Sequence, residues 1–276
     1  MRIRLFDKEF AHLGCYCGYD APAAVEWDRN APNGELPVSV FTERCLELVE
    51  PGKAINVAWL LEPEAIHAYG YNTIRNGWHA KFDHILTFDR DMLERWPEKA
   101  HFWTPGGSWI WRRDWAICPK TKNVSIVAGM KDWTTGHRLR HEVIRRLEDR
   151  FDLVCGYGRK PVEPRAAIFQ DYRYSVVIEN SRVDYYWTDK LIDPILCGCI
   201  PIFWGCPSIE QFGFDMNGIL MWETVDELAA ILDHVGPDDY EARRPAIEKN
   251  FKQAQKYAIV EDFMYESFLK GFDHGA

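Results

Sequence analysis

The stretch Tyr172-YRYSVVIENSRVDYYWTDKLIDPILCGCIPIFWGCP-Pro207 decides the fold, because it reads as strand, polar loop, capped helix and second strand. Tyr174 to Ile178 is a short β-rich run suited to a buried parallel strand. It ends at Glu179, Asn180 and Ser181, so polar side chains fall at the strand's carboxyl end, where open α/β sheets bind ligands. Thr188 is a good helix N-cap, and Leu191, Ile192, Ile195 and Leu196 supply an apolar face behind it. Lys190 sits in the first turn against the helix dipole, which an anion at that end would explain. Ile200 to Trp204 is the next buried strand, closed by Gly205 and Pro207. A phosphate on the amino end of this helix, held by Lys190, is one reading; an ordinary βαβ unit with a solvated lysine is the other.

Alternation continues on both sides. Ile3 to Phe6, Ile55 to Glu62 and His84 to Phe88 read as strands, with a helix expected from about Pro37 to Leu48. His101 to Trp115, HFWTPGGSWIWRRDW, breaks the rhythm and reads as a linker. A second set follows: a strand at Val124 to Ala128, a helix from about Gly136 to Arg150 with Leu139, Val143 and Leu147 on one stripe, and a strand at Asp152 to Cys155. After Pro207 come a strand at Ile219 to Trp222, a helix from Val225 to His234, and helices from about Asp238 onward. The expectation is α/β of GT-B type, two Rossmann-like domains facing across a cleft: 1–115, 116–256, and a C-terminal helix over 257–276 packing back on the first domain. One large doubly wound domain is the alternative.

With 276 residues, 47% hydrophobic and 14% aromatic, the chain can bury one or two sizeable cores. A net charge of −9 without a long basic run argues against nucleic acid or an anionic membrane as partner. Local clusters such as Arg112-Arg113 and Arg138, Arg140, Arg145, Arg146 suit a small anion better. Arg2 and Arg4 alternate with Ile3 and Leu5, unlike a signal segment, and no window approaches eighteen apolar residues, so a soluble, cytoplasmic protein without a transmembrane segment is expected. Cys15-x-Cys17 and Cys197-x-Cys199 lack zinc-knuckle spacing, and reduced thiols with no structural metal are expected.

Glu179, Asn180, Ser181, Tyr186, Thr188, Asp189 and Lys190, followed by the Ile200 to Gly205 strand, resemble the donor-binding signature of the family 10 α-1,3/4-fucosyltransferases. The spacing matches without a gap from Glu179 through Lys190; the family's glutamate before the lysine is Asp189 here, which bears on the identity of the sugar. The resemblance covers most of the second half and the first half only in patches. It implies an inverting glycosyltransferase that moves fucose from GDP-fucose to a hydroxyl of a glycan acceptor, with no cofactor required.

Such a reaction needs a base for the acceptor hydroxyl and positive charge for the departing diphosphate. Glu62, in the run AWLLEPEA, ends a buried strand beside apolar Trp59 and Leu61, which would raise its pKa; by itself it is also a solvated turn residue. By resemblance it falls on the family's proposed base, with Glu64 in reserve, and Phe82 to Asp91 resembles a downstream family segment. Arg140 matches the family's phosphate-binding arginine by its offset from Leu147, with Arg138 as substitute. Asn180 and Tyr186 would hydrogen-bond or stack near the donor, Glu179 would meet sugar hydroxyls or shape the loop, Asp189 would meet ribose or sugar, and Lys190 would neutralise phosphate; Ser181 and Thr188 are secondary candidates. Gly156 and Gly158 fall where the family has a glycine-rich turn. Trp103, Trp109, Trp111, Trp115 and Trp133 form either an acceptor platform or core packing. The rivals are the same fold with another nucleotide-sugar donor, and a non-catalytic carbohydrate- or nucleotide-sugar-binding module.

Overall fold

A computed structural model describes residues 1–10, 14–32, 34–50, 52, 54–156 and 158–272. It divides into two compact units, Met1–Pro105 with Ile259–Ala276, and Gly106–Ala258. Residues 106–115 belong with the second unit, ten residues earlier than the sequence boundary, because Ser108 and Trp109 are bound to Asp193 there. The last four residues of the expected C-terminal helix lie outside the described residues.

The first unit carries β1 (Arg2–Phe6), β2 (Glu26–Asp28), β3 (Val38–Thr42), β4 (Ile55–Trp59), β5 (His84–Thr87) and β6 (Ala100–Phe102), all parallel in the order β2-β1-β3-β4-β5-β6. The period-two alternation of a strand sends neighbours to opposite faces. Val40, Val57, Trp59 and Leu86 pack on one face, and Phe41, Ala58, Leu60 and Ile85 on the other. The latter face is covered by α1 (Glu64–Arg75) and α2 (Arg90–Arg95) through Tyr71, Ile74 and Met92. The helix expected over 37–48 is β3 followed by a 3-10 turn, Glu43–Leu48. Val38, Val40 and Phe41 are β-formers, and β3 lies between β1 and β4, so tertiary pairing on both edges outweighs the helical reading.

The second unit carries β7 (Lys122–Ala128), α3 (Thr135–Leu147), β8 (Asp152–Gly156), β9 (Tyr172–Ile178), α4 (Asp189–Leu196), β10 (Ile200–Trp204), β11 (Leu220–Met221), α5 (Val225–His234), α6 (Pro237–Ala242) and α7 (Arg244–Ala254). Its five parallel strands run β11-β10-β9-β7-β8. One face buries Ile126, Val176, Ile178 and Ile202 against Val143 and Leu147 of α3 and Leu228 of α5, each such side chain contributing about 1.5–3 kcal/mol. The strand order reverses between β7 and β9, and in open α/β sheets the crevice at the carboxyl ends of such a pair is where ligands bind.

A final helix, α8 (Val260–Ser267), belongs to the first unit, where Val260, Met264 and Leu269 enter the core of Ile3, Leu5 and Trp59. Glu261 of α8 accepts from the backbone of Tyr16 at 2.6 Å and from Trp27 Nε1 at 3.3 Å. Trp27, Trp59 and Trp103 stack there with Phe10 and Tyr16. Trp103 is therefore core and not a sugar platform: it is 1% exposed. No helix among the described residues is long and apolar enough to cross a membrane.

Candidate functional site

The carboxyl end of β9 is brought against the start of α3 by a missing side chain. A Cβ on Gly136 would lie 1.7 Å from the carbonyl oxygen of Glu179, so only glycine allows this approach. Its N–H donates to the carbonyl of Asn180 at 3.1 Å. Thr134 caps α3 by accepting from the His137 backbone at 3.2 Å, while His137 Nδ1 accepts from the Thr134 N–H at 3.3 Å. Burial, followed by the charge of Arg140, lowers the His137 pKa to about 4, which keeps its Nδ1 an acceptor.

One turn further, Arg140 reaches over the end of β9. Its side chain is 7% exposed; Nε and Nη2 donate to the carbonyl of Ile178, and Nη2 also to Asn180 Oδ1 at 3.1 Å. No carboxylate among the described residues lies within ion-pairing distance of it, although Glu179, Tyr186 and Asp189 are close enough to favour its charge against the burial that lowers its pKa. A buried guanidinium without an ion pair is expensive. An anion at this crevice would compensate it.

Glu179 is fully buried and turned inward. Its Oε1 accepts from the Thr188 N–H at 2.8 Å, and the Thr188 hydroxyl, 3.1 and 3.0 Å from the two carboxylate oxygens, donates to it. Burial raises its pKa, opposed by Lys190. Of the two roles expected for Glu179, this geometry is that of loop shaping. Thr188 in turn caps α4, its Oγ1 accepting from the Lys190 N–H at 3.3 Å and from Lys190 Nζ at 3.0 Å. Lys190 Nζ stands 3.7 Å from Glu179 and 4.0 Å from Asp189.

These groups surround a cavity of about 150 Å³ with Arg140, Asp189 and Lys190 in its wall and Val177 and Ile178 of β9 behind it. Tyr186 and Ser181 are buried and do not line the cavity, Tyr186 with no exposed surface for stacking, and Asn180 enters through Arg140. Between them Tyr185 adopts φ 64°, left-handed backbone that non-glycine residues rarely take. Arg138 is exposed and donates to the carbonyls of Asp132 and Trp133, away from the cavity, so it is not a substitute for Arg140. A larger, open recess of about 540 Å³ lies along the edge strand β8 with Glu148, Asp149 and Asp152 in its wall. It holds none of the site candidates.

Two cavity residues escaped the sequence reading. Arg165, in the 3-10 turn Arg165–Ile168, and Asp193 of α4 both line the cavity. Asp193 Oδ1 accepts from Ser108 Oγ at 2.8 Å and from the Trp109 N–H at 3.0 Å. Burial and the neighbouring Asp189 raise its pKa to about 7. Asp193 could have been found from the polar i, i+4 spacing with Asp189 inside an apolar helix; Arg165 carries no local signal.

In the first unit, Glu62 lies half-buried in the turn between β4 and α1. Its backbone is clamped from both sides: Glu43 Oε1 accepts from the N–H groups of Leu61 and Glu62, the latter at 2.8 Å, and Tyr71 OH donates to the Glu62 carbonyl at 2.9 Å. Glu43 is 0% exposed and burial raises its pKa to about 8. Gly70 makes room for it, since a Cβ there would come 2.9 Å from Glu43 Cγ. Glu64 is exposed in the first turn of α1 and pairs with Arg75 at 2.8 Å. Trp133, 69% exposed, sits in the loop before α3, and Trp109, Trp111 and Trp115 are half-buried. All eight cysteines are free thiols, and no group of three or more His, Cys, Asp or Glu among the described residues could hold a metal ion.

No protein-family model matches the chain. Among solved structures it is similar to an α1,3-fucosyltransferase, with TM-score 0.51 and 13% identity over 90% of this chain and 80% of that one. A structure of α1,3-fucosyltransferase with GDP gives TM-score 0.50 and 14% identity over 86% and 83%. An α-glucosyltransferase in complex with UDP-glucose and DNA containing an abasic site gives TM-score 0.50 and 11% identity over 99% and 98%. Identities this low speak for the fold alone: the chain has the two-sheet α/β fold of GT-B glycosyltransferases.

Proposed function

We propose that the chain is an inverting glycosyltransferase that transfers fucose from GDP-fucose to a hydroxyl of a glycan acceptor. The observation that carries this reading is Arg140, a buried guanidinium without an ion pair among the described residues, at the switch point of a parallel sheet and joined through Asn180 to the Glu179–Lys190 signature. The diphosphate of the donor lies at the amino end of α4, gripped by Arg140 and neutralised by Lys190. Glu62 takes the proton of the acceptor hydroxyl as its oxygen attacks the anomeric carbon. The bond from that carbon to the diphosphate oxygen breaks with its electron pair, leaving as GDP, and attack from the opposite face inverts the centre.

Replacing Glu62 by glutamine should abolish transfer while leaving GDP affinity nearly unchanged; full turnover in Glu62→Gln would remove Glu62 as base. A second reading keeps the fold and changes the donor. Asp189 is one methylene shorter than the glutamate of the fucosyltransferase signature, and a similar structure carries UDP-glucose. Thermal shifts against a panel of nucleotide sugars separate the two, since a ligand at a hundred times its Kd stabilises by about 2.7 kcal/mol. Donor binding without turnover, with Glu62 dispensable, would favour the non-catalytic module.

A further inference from the structure

The cavity at the end of β9 contains a cation beyond Arg140 and Lys190. Arg165 lines it together with Arg140 and Lys190. The guanidinium makes one hydrogen bond among the described residues, Nε to Asp193 Oδ2, and that bond is long at 3.4 Å. Its Nη2 stands 3.8 Å from Asp189, an ion pair beyond hydrogen-bond reach. Four of its five N–H donors, those on the two Nη atoms, are therefore unspent. Nor does Asp193 depend on Arg165, because Ser108 and Trp109 already donate to it. Arg140 repeats the pattern from the other side of β9: Nε and Nη2 are used, and Nη1 has no hydrogen bond among the described residues.

We propose that Arg165 is a second anion-gripping residue of this cavity, working with Arg140 to hold the two phosphates of a nucleoside diphosphate. The assignment rests on reading the cavity as the donor site. The volume agrees with the division of labour: about 150 Å³ takes a diphosphate but not a whole nucleotide sugar, for which pockets run to several hundred Å³. The charges agree as well. Arg140, Arg165 and Lys190 face Asp189, Asp193 and Glu179, and burial, which raises the pKa of both Asp193 and Glu179, disfavours the negative charge of those two acids. Asp193 holds Arg165 at Nε and leaves the N–H donors of its two Nη atoms without hydrogen bonds among the described residues, which suits bidentate capture of phosphate oxygens.

Titration calorimetry on the full chain with GDP, UDP, GMP and inorganic pyrophosphate tests this. Arg165→Gln should weaken the diphosphate that the parent binds, and pyrophosphate, by about tenfold or more, and weaken GMP less. Arg165→Lys should recover part of the loss, since it restores the charge without the fork. A misfolded variant would lose GDP and GMP alike, and the lysine variant then serves as the comparison. Diphosphate affinities within twofold of the parent in both variants would overturn the assignment. A parent protein that binds none of GDP, UDP or pyrophosphate would instead overturn the donor-site reading, and this assignment with it.

Discussion

The carboxyl ends of the two sheets use buried ionisable groups in opposite ways. In the second unit, Arg140, Arg165 and Lys190 bring side-chain cations to a cavity wall, where Asp189, Asp193 and Glu179 brace Arg165 and Lys190. In the first unit Glu43, fully buried, pairs with no cation among the described residues and is spent on backbone, fixing the N–H groups of Leu61 and Glu62. One end is arranged to receive charge and the other to hold a carboxylate-bearing turn still. If the proposed roles hold, the cationic end can tolerate adjustment among several groups, whereas Glu62 as base would depend on the placement of one.

The sharpest way to break this contrast is at Arg140. Arg140→Lys keeps a positive charge but loses the fork that spans Ile178 and Asn180, so kcat/KM should fall roughly a hundredfold, the order expected when a buried charged hydrogen-bonding partner is lost. Most of the loss should appear in donor KM, and steady-state kinetics at varied donor concentration reads it. Unchanged KM would mean that the unpaired guanidinium supports only the chain end of β9.

At Glu43 the expected effect is smaller and falls on the other kinetic constant. Glu43→Ala frees the Leu61–Glu62 backbone, and kcat should fall roughly tenfold to a hundredfold through misplacement of Glu62, with donor KM unchanged. Glu43→Gln keeps an accepting oxygen and should retain most of kcat. If alanine and glutamine behave alike, the carboxyl does not position the turn.

The same contrast explains what was legible in the sequence. Thr188, Asp189 and Lys190 are contiguous, and the cap, helix and following strand all show in local pattern, so α4, α5 and β10 lie close to where periodicity placed them. Arg140 was visible through its place on an amphipathic helix and its family offset. Glu43 is not legible, because its partners are 18 and 19 residues away and its segment carries a helical pattern while the fold makes it a strand and 3-10 turn. Arg165 was hidden for the same physical reason: it meets Asp193 across 28 residues, by tertiary folding alone. For Trp103 the sequence leaves platform and core packing open, and its contact with Trp59, ring centroids 4.9 Å apart, makes it core.

Glu43, Glu261 and Asp193 also set a pH dependence. Burial raises their pKa values to about 8, 7 and 7. The folded chain therefore keeps protons that the unfolded chain has released, and their stabilising contribution is present at low pH and lost as pH rises through those values. The melting temperature of the parent should decline from about pH 5 toward pH 8. Glu43→Gln cannot ionise, so its melting temperature relative to the parent should rise by a few degrees over that window. A constant difference between the two proteins would show that Glu43 is ionised while buried.

The smallest effect is expected at Glu64, the reserve base. Its carboxylate is exposed, pairs with Arg75 at 2.8 Å and sits in the first turn of α1, where an acid favours the helix dipole. Exposed pairs of this kind contribute about 0–1 kcal/mol. Glu64→Ala should therefore lower the melting temperature slightly and leave kcat and donor KM within twofold of the parent. Because Glu62 and Glu64 are two residues apart on either side of Pro63, this comparison separates a base from a helix-end acid. Loss of turnover in Glu64→Ala, alongside activity in Glu62→Gln, would move the base to the helix end and leave the Glu43 clamp supporting only the fold.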